Sequence, residues 1–150
     1  MSDLKQQLRT DLTAAMKTRD ELRTATLRMV LSAVSAEEVA GKEARELSDD
    51  EVQAVLRREA KKRREAAEAF AGAGRPEQAD RERAEGEIVA GYLPAQLDDA
   101  DLAAMVADAV TRTGAAGMKD MGKVMGAVQG AVAGRADGGR VAAEVRRQLG

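Results

Sequence analysis

Met118 to Gly138 reads MKDMGKVMGAVQGAVAGRADG, and two periodicities overlap in it. Met121, Val124, Met125, Val128 and Val132 recur at intervals of three and four, so they line one side of an α-helix as a single apolar stripe. Gly122, Gly126, Gly130 and Gly134 recur every four residues. An interior glycine costs a helix about 0.5–1 kcal/mol relative to alanine, so the first three require a reason. Close approach supplies one: small residues four apart admit a neighbouring helix, or a nucleic-acid backbone, nearer than a β-carbon allows. The Met and Val stripe favours packing against a neighbouring helix. Gly134 follows the last periodic residue and takes the C′ position that closes a helix. Asp137 then caps a last helix, Val141 to Leu149, whose Val141, Val145 and Leu149 step by four.

Around this stretch the composition narrows both fold and chemistry. The chain has 150 residues, 44% of them hydrophobic, with one Phe, one Tyr and no Trp. Such a chain suits one domain or two small subdomains, filled by aliphatic helix packing. Almost nowhere do apolar residues alternate with period two, so the expected fold class is all-α. With no cysteine and no histidine, disulfides, thiolate catalysis and imidazole chemistry are excluded. Phosphate-binding and nucleophile motifs are missing, and the pairs Asp49/Asp50 and Asp98/Asp99 stand at helix starts, where capping explains them. No cofactor, no metal and no catalytic residue is expected. No apolar run approaches a membrane span, and Lys119, Asp120, Lys123, Gln129 and Arg135 interrupt or flank the glycine ladder, so no membrane partner and a cytoplasmic location are expected. Net charge is −2, and residues 98–150 hold seven Lys/Arg against seven Asp/Glu, so any basic site is local.

Taken in order, Ser2 caps a first helix with Leu4, Leu8, Leu12 and Met16 as its stripe. Asp20 caps a second, apolar on two sides and hence central to its bundle: Leu22, Ala25, Thr26, Met29, Ala33 and Ala36 on one, Leu27, Val30, Leu31 and Val34 on the other. A polar linker runs from about Gly41 to Leu47. Ser48-Asp49-Asp50-Glu51 is a capping box. The helix it opens carries Val52, Val55, Leu56, Ala60, Ala67 and Phe70 inward, with the basic run Arg57 to Arg64 on a solvated face paired to Glu59, Glu65 and Glu68. Pro76 starts a fourth helix, wet early and buried late, which Leu93-Pro94 breaks. The expected boundary falls there: an N-terminal subdomain of about four helices over 1–93, then a three-helix subdomain over 94–150. Asp98 or Asp99 caps the next helix, with Leu102, Met105, Val106, Ala109 and Val110 as its stripe, and Gly114 ends it.

Leu93-Pro94-x-Gln96-Leu97, then Met118 through Gly126, then Gly134-Arg135-Ala136-Asp137-Gly138-x-x-Val141, resemble the GatB/YqeY family, and the likeness spans essentially the whole chain. The resemblance implies a stand-alone YqeY-like protein whose C-terminal part is similar to the tail domain of the GatB subunit of the glutamine-dependent tRNA amidotransferase. Partners implied are tRNA and the amidotransferase or aminoacyl-tRNA synthetase machinery. The transfer chemistry itself, a carbon–nitrogen ligation with glutamine as amide donor, belongs to a domain absent here. The implied role is therefore an accessory tRNA-binding module, with an auxiliary part in transamidation or a protein–protein adaptor as alternatives. Carried onto this sequence, the nucleic-acid-binding candidates are Lys119, Lys123 and Arg135 beside Gly122 and Gly126. The chain departs from its relatives' common pattern at Gly130, Ala131 and Ala133, where proline and lysines are frequent, which lowers the local positive potential.

If the glycines serve helix packing, Gly126→Leu overpacks the contact and destabilises by about 1–3 kcal/mol, while Gly126→Ala is milder. Thermal melts read the difference.

Overall fold

A computed structural model describes residues 2–150. Among these the chain is all-helical: α1 (Asp3–Thr18), α2 (Glu21–Glu38), α3 (Asp49–Gly72), α4 (Pro76–Ala90), α5 (Asp99–Thr113), α6 (Met121–Val132) and α7 (Gly138–Leu149), with one 3-10 turn at Met118–Asp120 and no strand. The chain divides into two compact units, the first ending at Leu93 and the second running from Pro94 to Gly150. Among the described residues no helix is long and apolar enough to cross a membrane.

Local chemistry starts each helix of the first unit. Ser2 Oγ accepts from the Lys5 amide and Asp20 from the Arg23 amide. Ser48 and Glu51 complete a reciprocal capping box, and Glu51 also pairs with Arg45. Those hydrogen bonds hold the Glu51 carboxyl below its usual range, the bond from the Ser48 amide foremost. Pro76 opens α4, where its missing amide proton costs nothing. Helix α2 packs against α1, α3 and α4, and its buried face is Thr26, Leu27, Val30 and Val34. Ala25 and Ala36, expected on a second buried face, are exposed.

Other expectations are corrected in detail. Met16 is 41% exposed while its neighbour Ala15 is buried, because α1 turns its Leu8 and Ala15 side inward and ends two residues later. Leu47, at the end of the linker, is only 2% exposed and joins the core with Leu8, Leu27, Val30, Val34, Val52, Val55, Leu56 and Val89. Lys5 is buried as well: its Nζ donates to both Glu38 carboxylate oxygens at 2.7 and 2.9 Å, tying the start of α1 to the end of α2. That contact, chiefly, holds the Glu38 carboxyl below its ordinary value. Helix α4 is mostly exposed over its first turns, as expected, with one exception. Ala79 is fully buried, and Glu82 and Glu85 turn toward Arg63 of α3. Tyr92, in the turn after α4, donates to Asp11 Oδ2 at 2.5 Å and accepts from Arg23 at 3.0 Å, joining that turn to α1 and α2. Burial and the Asp11 contact push the phenol up to about 12.

In the second unit α5 packs on α6 and α7, and α6 on α7, around Leu102, Val106, Ala109, Val124, Val128, Val132, Val141 and Val145. Asp98 rather than Asp99 caps α5, accepting from the Asp101 amide, which leaves Asp99 to pair with Arg140 at 2.9 Å. Gly114 closes α5 in the left-handed conformation, φ 67°. Leu97 is clipped in place from both sides: its amide donates to the Arg135 carbonyl at 2.8 Å, and its own carbonyl accepts from Arg140 at 3.0 Å. On α7, Glu144 accepts from Arg147 and Gln148, and Gln148 also reaches the Ala103 carbonyl of α5.

The Arg147 and Gln148 contacts hold the Glu144 carboxyl down at about 2, against an ordinary value of 4.5. A carboxyl depressed in the folded state contributes stability that is present above the ordinary value and lost as pH falls toward the folded one. Denaturant unfolding at successive pH values should therefore show stability falling between about pH 4.5 and 2, and Glu144→Gln should flatten that fall.

Candidate nucleic-acid interface

Helix α6 is oriented by its valines. Val124, Val128 and Val132 are 0%, 0% and 3% exposed, and Met121 and Met125 pack half-buried beside them. With the stripe turned inward, residues two positions after Val124 and Val128 must point away from it, and Gly122, Gly126 and Gly130 are all exposed. A β-carbon built at any of the three meets nothing within 4 Å. Within the second unit the packing expectation is thus overturned: neither α5 nor α7 approaches the glycine face, and Gly126→Leu has nothing there to overpack. What the face offers is bare helical backbone, open to the outside along a helix roughly 18 Å long, from twelve residues at about 1.5 Å each.

Charged and polar groups border that strip. Lys123, three before Gly126 and seven before Gly130, lies along one edge; Gln129, three after Gly126 and seven after Gly122, lies along the other, and both are exposed. Gln129 was read in the sequence only as an interruption of apolarity. Its signal is its register with the glycines, which gains meaning once the strip faces outward. Lys119 is exposed too, but it sits on the 3-10 turn and not on the α6 helix with Lys123. That turn is set by Asp120, whose carboxylate accepts from the Ala116 amide at 2.9 Å, and α6 begins after it without a side-chain cap.

Arg135 lies past the other end. Helix α6 closes with Ala133 as its C-cap at φ 48°, and Gly134 stands at C′ as expected, with φ 77°. Two successive left-handed residues turn the chain sharply. Alanine is strained there, and glycine is not. Arg135 is half-buried; its amide donates to the Val132 carbonyl at 2.9 Å. Among the described residues no ion pair or hydrogen bond engages the side chains of Lys119, Lys123 or Arg135. Asp137 occupies the N-cap position of α7 without accepting a cap hydrogen bond, and α7 starts at Gly138 rather than Val141.

The basic run of the first unit is arranged differently. Arg58 pairs with Glu37 at 3.2 Å, Lys62 with Glu59 at 3.4 Å, and Arg63 points into the contact between α3 and α4. Most of that run is spent on intramolecular pairing. No group of three or more Asp or Glu among the described residues is placed to hold a metal ion.

The quoted motifs lie within a match to one family. The model of the family described as Yqey-like protein matches residues 5–149. The chain belongs to the YqeY-like family. No curated protein matches it.

In this YqeY-like chain the three glycines are a cost to α6 with no internal return. Gly122→Ala, Gly126→Ala and Gly130→Ala should each raise stability by about 0.5–1 kcal/mol, read as midpoint shifts in chemical denaturation.

Proposed function

We propose that this YqeY-like protein is a non-catalytic accessory module that holds tRNA by its phosphate backbone, against the glycine face of α6, in the cytoplasm and in association with amidotransferase machinery. The observation that carries the reading is the open strip of Gly122, Gly126 and Gly130, bordered by Lys123 and followed at its two ends by Lys119 and Arg135. A helix that gives up stability at three positions without packing them against its own unit is shaped for a further partner. The charged groups beside the strip, Lys119, Lys123 and Arg135, are cationic and make no intramolecular ion pair among the described residues, which suits an anion of extended form. Phosphate contacts of this kind position a nucleic acid without reading its bases. With one Phe and one Tyr in the chain, neither near α6 in sequence, there is little on which unpaired bases could stack, so a folded RNA recognised by shape fits better than a single strand.

Catalysis finds no support in the carboxylates. Asp49 accepts from the Leu4 amide, Asp98 caps α5, and Asp99 pairs with Arg140. An auxiliary part in glutamine-dependent transamidation would rest on subunits supplying that chemistry. One observation favours a protein partner instead: Met118, on the turn before the strip, is 46% exposed.

Binding of tRNA measured across a salt series separates these readings. Each phosphate contact contributes a slope of about 0.7–0.9 in log K against log salt, so Lys119→Gln with Lys123→Gln should flatten the dependence by about 1.5. Neutralising Arg57 and Arg64 should leave the slope unchanged. If only the latter pair matters, the contact lies on the first unit; if no tRNA binds even at low salt, the protein-adaptor reading replaces the RNA one.

A further inference from the structure

The long hairpin of α3 and α4 changes character along its length. The apolar core of the first unit ends on α3 at Leu56 and resumes on α4 at Val89, with Ala60 and Ile88 half-buried at its margin. Over the 57–88 segment between them, the buried apolar side chains are Ala67 and Ala79, the smallest there are. At the positions where facing helices would present leucines, this chain has Glu59, Arg63, Glu82 and Glu85. Arg63 lies 3.9 Å from Glu59, 3.5 Å from Glu82 and 3.4 Å from Glu85, a single guanidinium among three carboxylates. Its Nε and the Glu82 Oε2 are buried without a hydrogen-bond partner. Gly86, inside α4, stands opposite the Arg63 β-carbon, where an added methyl would be in ordinary contact at 3.5 Å. It weakens the helix it sits in.

We propose that residues 57–88 form an arm that opens separately from the rest of the first unit, with Arg63 as its latch. A half-buried ion pair regains by attraction little more than it loses by desolvation, so such a seam orients the two helices more than it stabilises them. Removing the cation leaves three carboxylates facing one another. Local opening concentrates where apolar contacts are few, and this seam buries only Ala67 and Ala79 of its apolar side chains. Lys62 and Arg81 pair with Glu59 and Glu85 only at the rim, from side chains more than half exposed, and do not replace Arg63.

Native-state amide hydrogen exchange on the full chain tests this. Peptides covering 60–72 and 76–86 should exchange at least tenfold faster than peptides covering 27–34. Arg63→Met should accelerate the arm a further tenfold or more while leaving 27–34 unchanged, and adding Glu82→Gln with Glu85→Gln should restore the slower rate. Exchange of the wild-type arm in step with 27–34 overturns the proposal without recourse to any variant. Equal acceleration of arm and bundle by Arg63→Met overturns it as well, since the seam would then belong to the single cooperative unit.

Discussion

The burial of Val124, Val128 and Val132 governs the second unit. Three β-branched side chains, four residues apart, fix the rotation of α6 about its own axis against Val106, Ala109, Val141 and Val145. Burying a valine is worth about 1.5–3 kcal/mol, so turning the stripe outward would forfeit several times what the three glycines cost. The glycines therefore have no say in the orientation. They are carried to the outer face by the valines, and the outer face is left without side chains because the sequence puts none there. Lys123 and Gln129 border the strip for the same reason.

The first unit is governed by the opposite problem, a shortage of apolar volume. Its core draws on all four helices and on Leu47 from the linker, and beyond it the α3–α4 hairpin continues with alanines and charges. Charged contacts do some of the joining that apolar side chains would otherwise do: Lys5 with Glu38, Tyr92 with Asp11 and Arg23, and Arg63 with its three carboxylates. The first and third join consecutive helices, and Tyr92 joins the turn after α4 to α1 and α2. Their value lies in specifying which helices meet and in what register, since the desolvation of such pairs offsets much of their attraction.

These two constraints explain what could be read in advance. Helix starts are local chemistry: Ser2, Asp20, Ser48 and Pro76 are placed by a few neighbouring residues, and the start of α5 is narrowed to Asp98 or Asp99. The helical fold class and the YqeY-like family followed from periodicity and from long motifs. Orientation was harder wherever small or charged residues carried it. A glycine every four residues suits a packed contact or an open face equally, and only the tertiary position of the valines decides between them. Glu59 and Arg63 looked like members of a solvated face because charge is usually exposed; their burial depends on α4 bringing Glu82 and Glu85 opposite, some twenty residues away in sequence. A 3-10 turn leaves no mark in the spacing, so the sequence does not separate Lys119 from the helix of Lys123, and Asp137 holds the N-cap position without the side-chain cap bond expected of it.

The proposed contact is between bare backbone on α6 and an RNA. Selective nitrogen-15 labelling of glycine, with amide spectra recorded on the full chain as tRNA is added at low salt, addresses that contact directly. The account predicts shifts or broadening concentrated at Gly122, Gly126 and Gly130, with Gly72, Gly74 and Gly86 of the first unit unmoved. Binding of tRNA that leaves the three α6 glycines unperturbed would contradict it.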